Sequence, residues 1–155
     1  MDYRRIFKQR RMAHEIKADS YTIYINQNHK LQSYIDKLSP SKVFVLVDEH
    51  TEQFCLHAIL EILPLASIII QIDAGEKYKN IDTCSFVWKS LLHNGADRHS
   101  LILNLGGGVI GDLGGFCAAT FMRGIPFIHL PTTLLSQVDS SCGAKLGIDF
   151  AETKN

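Results

Sequence analysis

The residues best suited to chemistry crowd into the second half of this chain, in LILNLGGGVIGDLGGFCAATFMRGIPFIHLPTTLLSQVDSSCGAK, Leu101 to Lys145. An apolar run leads straight into Gly106-Gly107-Gly108, and an apolar segment of helical spacing follows. That is the pattern of a strand, a tight turn and a helix start. Without a Cβ, glycine lets the backbone come close to a ligand. The first helical turn offers unpaired N–H donors at the positive end of the dipole, which suits a pyrophosphate. The same glycines also serve a plain strand-to-helix turn, and their spacing departs from GxGxxG. Asp112, Arg123, Thr132, Thr133, Asp139 and Lys145 then follow the ends of short apolar runs.

Each polar residue has a plain reading beside its chemical one. Asp112, near a helix start, is favoured there by the dipole alone. Arg123, after an apolar helix, caps the negative end or forks onto phosphate oxygens. Asp48, closing the run VFVLV, accepts from ribose hydroxyls or caps the next helix. Glu76 and Lys79 have the spacing of an ordinary helical-surface ion pair. Asp139 and Lys145 sit in a small-residue loop with Ser140, Ser141 and Gly143, where packing gives them little to do.

The elements that must carry these residues alternate. Tyr21 to Ile25 is β-rich; Asn28 to Leu38 has helical spacing stopped by Ser39-Pro40. Val43 to Val47 reads as a strand buried on both faces, Thr51 to Leu63 as a helix and Ser67 to Ile72 as a strand. Ile81 to His93 is helical and closed by Asn94-Gly95. Leu101 to Leu105 is a strand, Val109 to Phe121 a helix and Phe127 to Leu130 a strand, with Pro131 where a helix or turn begins. From Ser136 the pattern fades: Ser140 to Lys145 is loop-like, and Leu146 to Phe150 suits a short strand. Such alternation predicts an α/β domain with an open, mostly parallel sheet and helices on both faces. A ligand then lies beyond the carboxyl ends of the strands. Asp48, Glu76, the triple glycine and Thr132-Thr133 follow four separate strands, so four strand ends converge on one edge.

GGGVIGD, MRG, PTTLLSQVDSS and GAK, with Gly75-Glu76-Lys77-Tyr78-Lys79 upstream and Lys154-Asn155 downstream, resemble the 3-dehydroquinate synthase family of sugar-phosphate cyclases. The resemblance runs from about Lys42 to Asn155. It implies a Rossmann-like NAD-binding domain of a two-domain enzyme, residues 1–155 being a fragment. The nucleotide would lie beside Asp48, Glu76, Lys79, Gly106, Gly107, Gly108, Asp112, Thr132, Thr133, Asp139, Lys145 and Lys154. Arg123, from across a homodimer interface, and Asp139, Lys145, Lys154 and Asn155 would contact a sugar-phosphate substrate. A divalent metal, zinc or cobalt, would be held by Glu and His ligands in a helical C-terminal domain absent from this chain. The implied reaction is transient NAD-dependent oxidation, phosphate elimination, reduction and aldol ring closure, giving 3-dehydroquinate. By the same reasoning the fragment alone is inactive. Thr153, Leu146, Asp149 and Phe150 depart from the family's usual Gly, Thr, Asn and His. Another sugar-phosphate cyclase and a metal-dependent NAD polyol or alcohol dehydrogenase are the alternatives, with a non-catalytic dinucleotide module as a third. QVDSS-x-G-x-K is unusual in the dehydrogenases.

Composition agrees with one ordinary core: 155 residues, 46% hydrophobic and 21% charged. A formal net charge of zero points to no nucleic acid or membrane surface. The basic first 17 residues read as a solvated arm, with no apolar core behind them for targeting. No apolar run approaches the roughly 20 residues that span a bilayer. Cys55, Cys84, Cys117 and Cys142 lack CxxC spacing and read as reduced thiols of a cytoplasmic protein. No HxH or HExxH pair marks a metal site.

Overall fold

A computed structural model describes residues 13–18, 21–27, 29–143, 145–151, 153 and 154. The chain divides between Ser39 and Pro40 into two compact units. In the first, β1 (His14–Lys17) pairs antiparallel with β2 (Thr22–Ile25), His14 opposite Ile25 and Lys17 opposite Thr22. The Ala18 amide donates to the Tyr21 carbonyl at 2.9 Å and closes the hairpin. Helix α1 (His29–Leu38) buries Leu31 and Ile35, one turn apart. At the end of the expected solvated arm, residues 14–17 are exposed and form a strand, because TIYI supplies a ladder partner. Residues 1–12 and Asn28 lie outside the described residues.

The second unit carries the predicted α/β pattern. Strands β3 (Val43–Asp48), β4 (Ile68–Ile72), β5 (Leu101–Gly106) and β6 (Phe127–Pro131) form one parallel sheet in the order β4-β3-β5-β6. Helices α2 (Glu49–Phe54), α3 (Ile81–His93) and α4 (Gly108–Thr120) connect them. The crossover from β3 to β4 runs opposite to the two that follow. Right-handed connections therefore put α2 on one face and α3 with α4 on the other. On that second face the Trp88 indole of α3 donates to the Cys117 carbonyl of α4 at 3.2 Å. The strand order reverses between β3 and β5, which makes their carboxyl ends the expected ligand crevice.

Strand β5 is buried along its whole length, and five of the six residues of β3 are. A strand covered on both faces needs a continuous apolar run, which is why VFVLV and LILNL lack polar alternation. Phe44, Leu46 and Ile102 pack with Leu113 and Cys117 of α4 and Cys84, Val87 and Leu91 of α3. Gly114 permits this closeness: a Cβ there would lie 2.1 Å from Asn104 Oδ1 and 2.7 Å from Leu46 Cδ2. The four cysteines are free thiols.

Three segments differ from the reading of the sequence. The helix expected over 51–63 is α2 followed by two 3₁₀ turns, Leu56–Ala58 and Leu60–Ile62. Its buried apolar residues, Leu56 and Ile59, are three apart, the 3₁₀ repeat, and Pro64 forces Leu63 into an extended conformation at ψ 142°. Over 146–150 no strand forms; a single parallel bridge joins Asp149 to Asn80. Pro131 ends β6, and Ser136–Ser140 form a π-helical turn.

Candidate functional site

Register carries the expected residues to one edge. Leu46 pairs with Asn104, so two residues further on Asp48 is level with Gly106, which itself pairs with Pro131; Asp48 pairs with Ile72. Ile72, Asp48, Gly106 and Pro131 thus stand in one row across the carboxyl ends of the four strands. Loops carrying Glu76-Lys79, Gly107-Gly108 and Thr132-Thr133 leave from that row.

The turn after β5 has the expected geometry. Gly107 is the N-cap of α4, with no side-chain cap, and the first intrahelical bond runs from the Gly111 amide to the Gly107 carbonyl at 3.0 Å. The amides before Gly111 in this first turn have no partner within the helix. A Cβ on Gly107 would stand 3.3 Å from Thr133 Cγ2, so the turn sits close under the loop after β6. The Thr132 amide donates to the Gly106 carbonyl at 3.0 Å and joins the two loops. Thr133 works locally: its hydroxyl accepts from the Ser136 amide at 3.2 Å and lies 2.9 Å from the Ser136 hydroxyl.

Lys79 is the electrostatic centre of the edge. Its side chain is only 7% exposed, and Nζ lies 2.7 Å from Glu76, 3.5 Å from Asp112 and 3.8 Å from Asp149. Burial pulls its pKa down; the hydrogen bond and charge of Glu76 and the charges of Asp112 and Asp149 outweigh it, so the pKa is raised. Asp112 is raised above the usual carboxylate range by burial, against the pull of Lys79. The pair at 76 and 79 is therefore more than a surface bridge, although Glu76 itself is half exposed. It is a buried ammonium among three carboxylates from three different segments.

Asp139 and Lys145 also come together, as an exposed ion pair. That hydrogen bond and charge raise the Lys145 pKa. Asp48 caps α2: its Oδ1 accepts from the Thr51 amide at 2.7 Å and the Thr51 hydroxyl at 3.0 Å, while its own amide donates back to Thr51 at 2.9 Å. Of its two sequence readings, the cap is the one seen. Arg123 is not brought to the edge. It lies past the far end of α4, about 20 Å of helix from the glycine turn, where Met122 and Arg123 take left-handed φ of 48° and 75°. Lys154 is exposed, and Asn155 lies outside the described residues.

Three residues of this edge escaped the sequence reading. Asp149, 70 positions from Lys79, had no spacing signal. Asn104 is 1% exposed in the middle of β5, its Nδ2 3.4 Å from His129 Nδ1 on β6. Both line a narrow cleft under the glycine turn with Gly106, Gly107, Gly111 and Ser140. Burial lowers the His129 pKa, which favours the neutral ring. A lone Asn inside LILNL and a lone His inside FIHL were visible as breaks in apolar runs.

Among the described residues no group of three or more His, Cys, Asp or Glu could hold a metal ion, and no helix is long and apolar enough to cross a membrane. The edge instead has the parts of a nucleotide site: helix N-terminal donors, a close glycine turn and hydroxyl-accepting carboxylates.

Known proteins bear the same pattern. A 3-dehydroquinate synthase of Alkaliphilus oremlandii is 43% identical over 140 residues, covering 88% of this chain and 39% of its own. The chain thus spans about two fifths of that relative. A structure of 2-deoxy-scyllo-inosose synthase complexed with carbaglucose-6-phosphate, NAD⁺ and Co²⁺ matches with a TM-score of 0.80 and 26% identity, over 93% of this chain and 42% of that one. The 2-epi-5-epi-valiolone synthase of Streptomyces hygroscopicus, with NAD⁺ and Zn²⁺ bound, matches with a TM-score of 0.61 and 29% identity, over 76% of this chain and 34% of that one. With the family model described as 3-dehydroquinate synthase N-terminal matching residues 69–155, the chain belongs to the 3-dehydroquinate synthase family.

Proposed function

We propose that this chain is the nucleotide-binding part of a 3-dehydroquinate synthase and takes NAD at the carboxyl edge of its sheet. The observation that carries the reading is the row of strand ends at which an uncapped helix N-terminus meets the Glu76–Lys79–Asp112 cluster. The first-turn amides of α4 receive the pyrophosphate, and Gly106, Gly107 and Gly108 let it approach. Glu76 and Asp112 accept from ribose hydroxyls while Lys79 neutralises them. Thr132 and Thr133 border the same turn. When bound there, NAD would supply reversible hydride-transfer chemistry. Lys145 and Asp139 hold the sugar-phosphate substrate, 3-deoxy-arabino-heptulosonate 7-phosphate, at the open side of the edge, and Lys154 and Asn155 follow them. The divalent metal belongs to residues outside this chain. Arg123, exposed and remote from its own edge, suits delivery to a second subunit of a cytoplasmic homodimer.

The test is calorimetric titration with NAD⁺ of the protein and of its Gly107→Val variant. The backbone φ at Gly107, −77°, admits a side chain, but the new Cβ crowds Thr133 and its methyls cover the donors. Binding by the parent and at least a tenfold loss in the variant, with circular dichroism unchanged, is the expected result. Equal affinity would move the nucleotide elsewhere.

A further inference from the structure

We propose that Asp149 is a positioning residue that acts through Lys79, tying the loop that carries Lys145 to the loop that carries Glu76. The inference rests on the cofactor reading above for its consequence, and on the geometry of Lys79 for its substance.

One backbone hydrogen bond and one longer charge contact make the tie. The Asp149 amide donates to the Lys79 carbonyl at 2.7 Å, which fixes the backbone of one loop on the other. The Asp149 carboxylate then stands 3.8 Å from Lys79 Nζ. Around them Leu146 packs where a Cβ on Gly115 would lie, 2.2 Å from its Cδ2, and Ile148 rests on the core. The Gly147 amide points to the Asp112 carbonyl at 3.4 Å. Segment 146–149 is therefore threaded past both polar partners of the nucleotide edge, immediately after Lys145.

An ammonium has three donors. Glu76 comes from the loop after β4 and Asp112 from the first turns of α4; the third carboxylate comes from the segment after Lys145. An ammonium this buried holds one geometry only while its carboxylates surround it. Asn at position 149 would keep the shape and the backbone bond but remove the charge. Lys79 would then relax toward Glu76 and Asp112, and the two loops would be joined by backbone alone.

The experiment compares the parent protein, Asp149→Asn, Lys79→Gln and the double variant. The first readout needs no ligand: titration of the Lys79 side-chain nitrogen by NMR. In Asp149→Asn the Lys79 pKa is expected to fall, with the thermal midpoint and circular dichroism showing an intact fold. An unchanged Lys79 titration would overturn the proposal. The second readout is NAD⁺ affinity by calorimetry. Asp149→Asn should weaken it about fivefold when Lys79 is present and leave it unchanged in the Lys79→Gln background, since residues acting through one another are not additive. An equal loss in both backgrounds would mean that Asp149 acts on the fold or the ligand directly, and would also overturn it. Absence of NAD⁺ binding by the parent would defeat the cofactor reading, while the Lys79 titration still decides the role of Asp149.

Discussion

Lys79 and Lys145 are both ion-paired lysines of the same edge, and they differ in almost everything that gives an ion pair consequences. The Lys79 side chain is 7% exposed and has three carboxylates around it; that of Lys145 is 64% exposed and has one. Lys79 was ordered by the sheet, because its loop follows β4 and is clamped between α4 and the 146–149 segment. Lys145 sits on a loop that leaves the sheet altogether. A charge held inside the fold is committed to its partners before any ligand arrives, whereas an exposed one remains available to a ligand at little cost.

The largest effect that would break this comparison is at Lys79. Lys79→Met leaves three carboxylates without their cation. Removing one partner of a fully buried pair costs about 3–5 kcal/mol. Glu76, Asp112 and Asp149 are partly open to water, so screening brings the expected loss to about 2 kcal/mol. Urea unfolding measures it. The sign of its pH dependence follows from the raised Lys79 pKa: the stabilisation is complete below the unfolded value, 10.5, and is lost as pH rises through the higher folded one. The gap between parent and variant should therefore be full at pH 8 and shrink above about pH 10.5. A gap that widens there would contradict the cluster.

A smaller effect is expected at Asp48, where the cap belongs to the fold and not to the ligand. Asp48→Ala should cost about 1 kcal/mol in the same unfolding assay, the usual worth of a capping side chain. NAD⁺ affinity measured on that variant sharpens the point, since a parallel loss would show that the carboxylate also reaches the nucleotide. Smallest of all is Lys145→Ala. Its thermal midpoint and its NAD⁺ affinity should match the parent, because its ion pair with Asp139 is exposed and worth little to the fold. Under the proposed function, affinity for the sugar phosphate should fall. A collapse of NAD⁺ affinity would make Lys145 a cofactor residue and dissolve the contrast with Lys79.

Much of this edge was legible before any coordinates. Continuous apolar runs such as VFVLV and LILNL can be buried only as central strands, and their polar sequels must then stand at strand ends. Local chemistry also announced the Asn94-Gly95 close of α3 and the glycine turn before α4. The segment 51–63 misled because an apolar repeat of three and one of three to four look alike over so few residues. The 146–150 segment misled because its β-favouring residues found only isolated bridges, Asp149 to Asn80 and Phe150 to Thr153, and no strand to pair with along their length.

By itself the sequence determined the α/β alternation, the run of strands that must be buried and the family, since these rest on short-range pattern and on motifs a few residues long. Only the tertiary structure decided which charges would share a dielectric environment. Lys79 and Asp149 are far apart along the chain and adjacent in space because the crossovers from β4 to β5 and from β5 to β6 bring their loops to one edge. Burial at that edge, not residue type, separates a lysine locked into the fold from a lysine left open to a ligand.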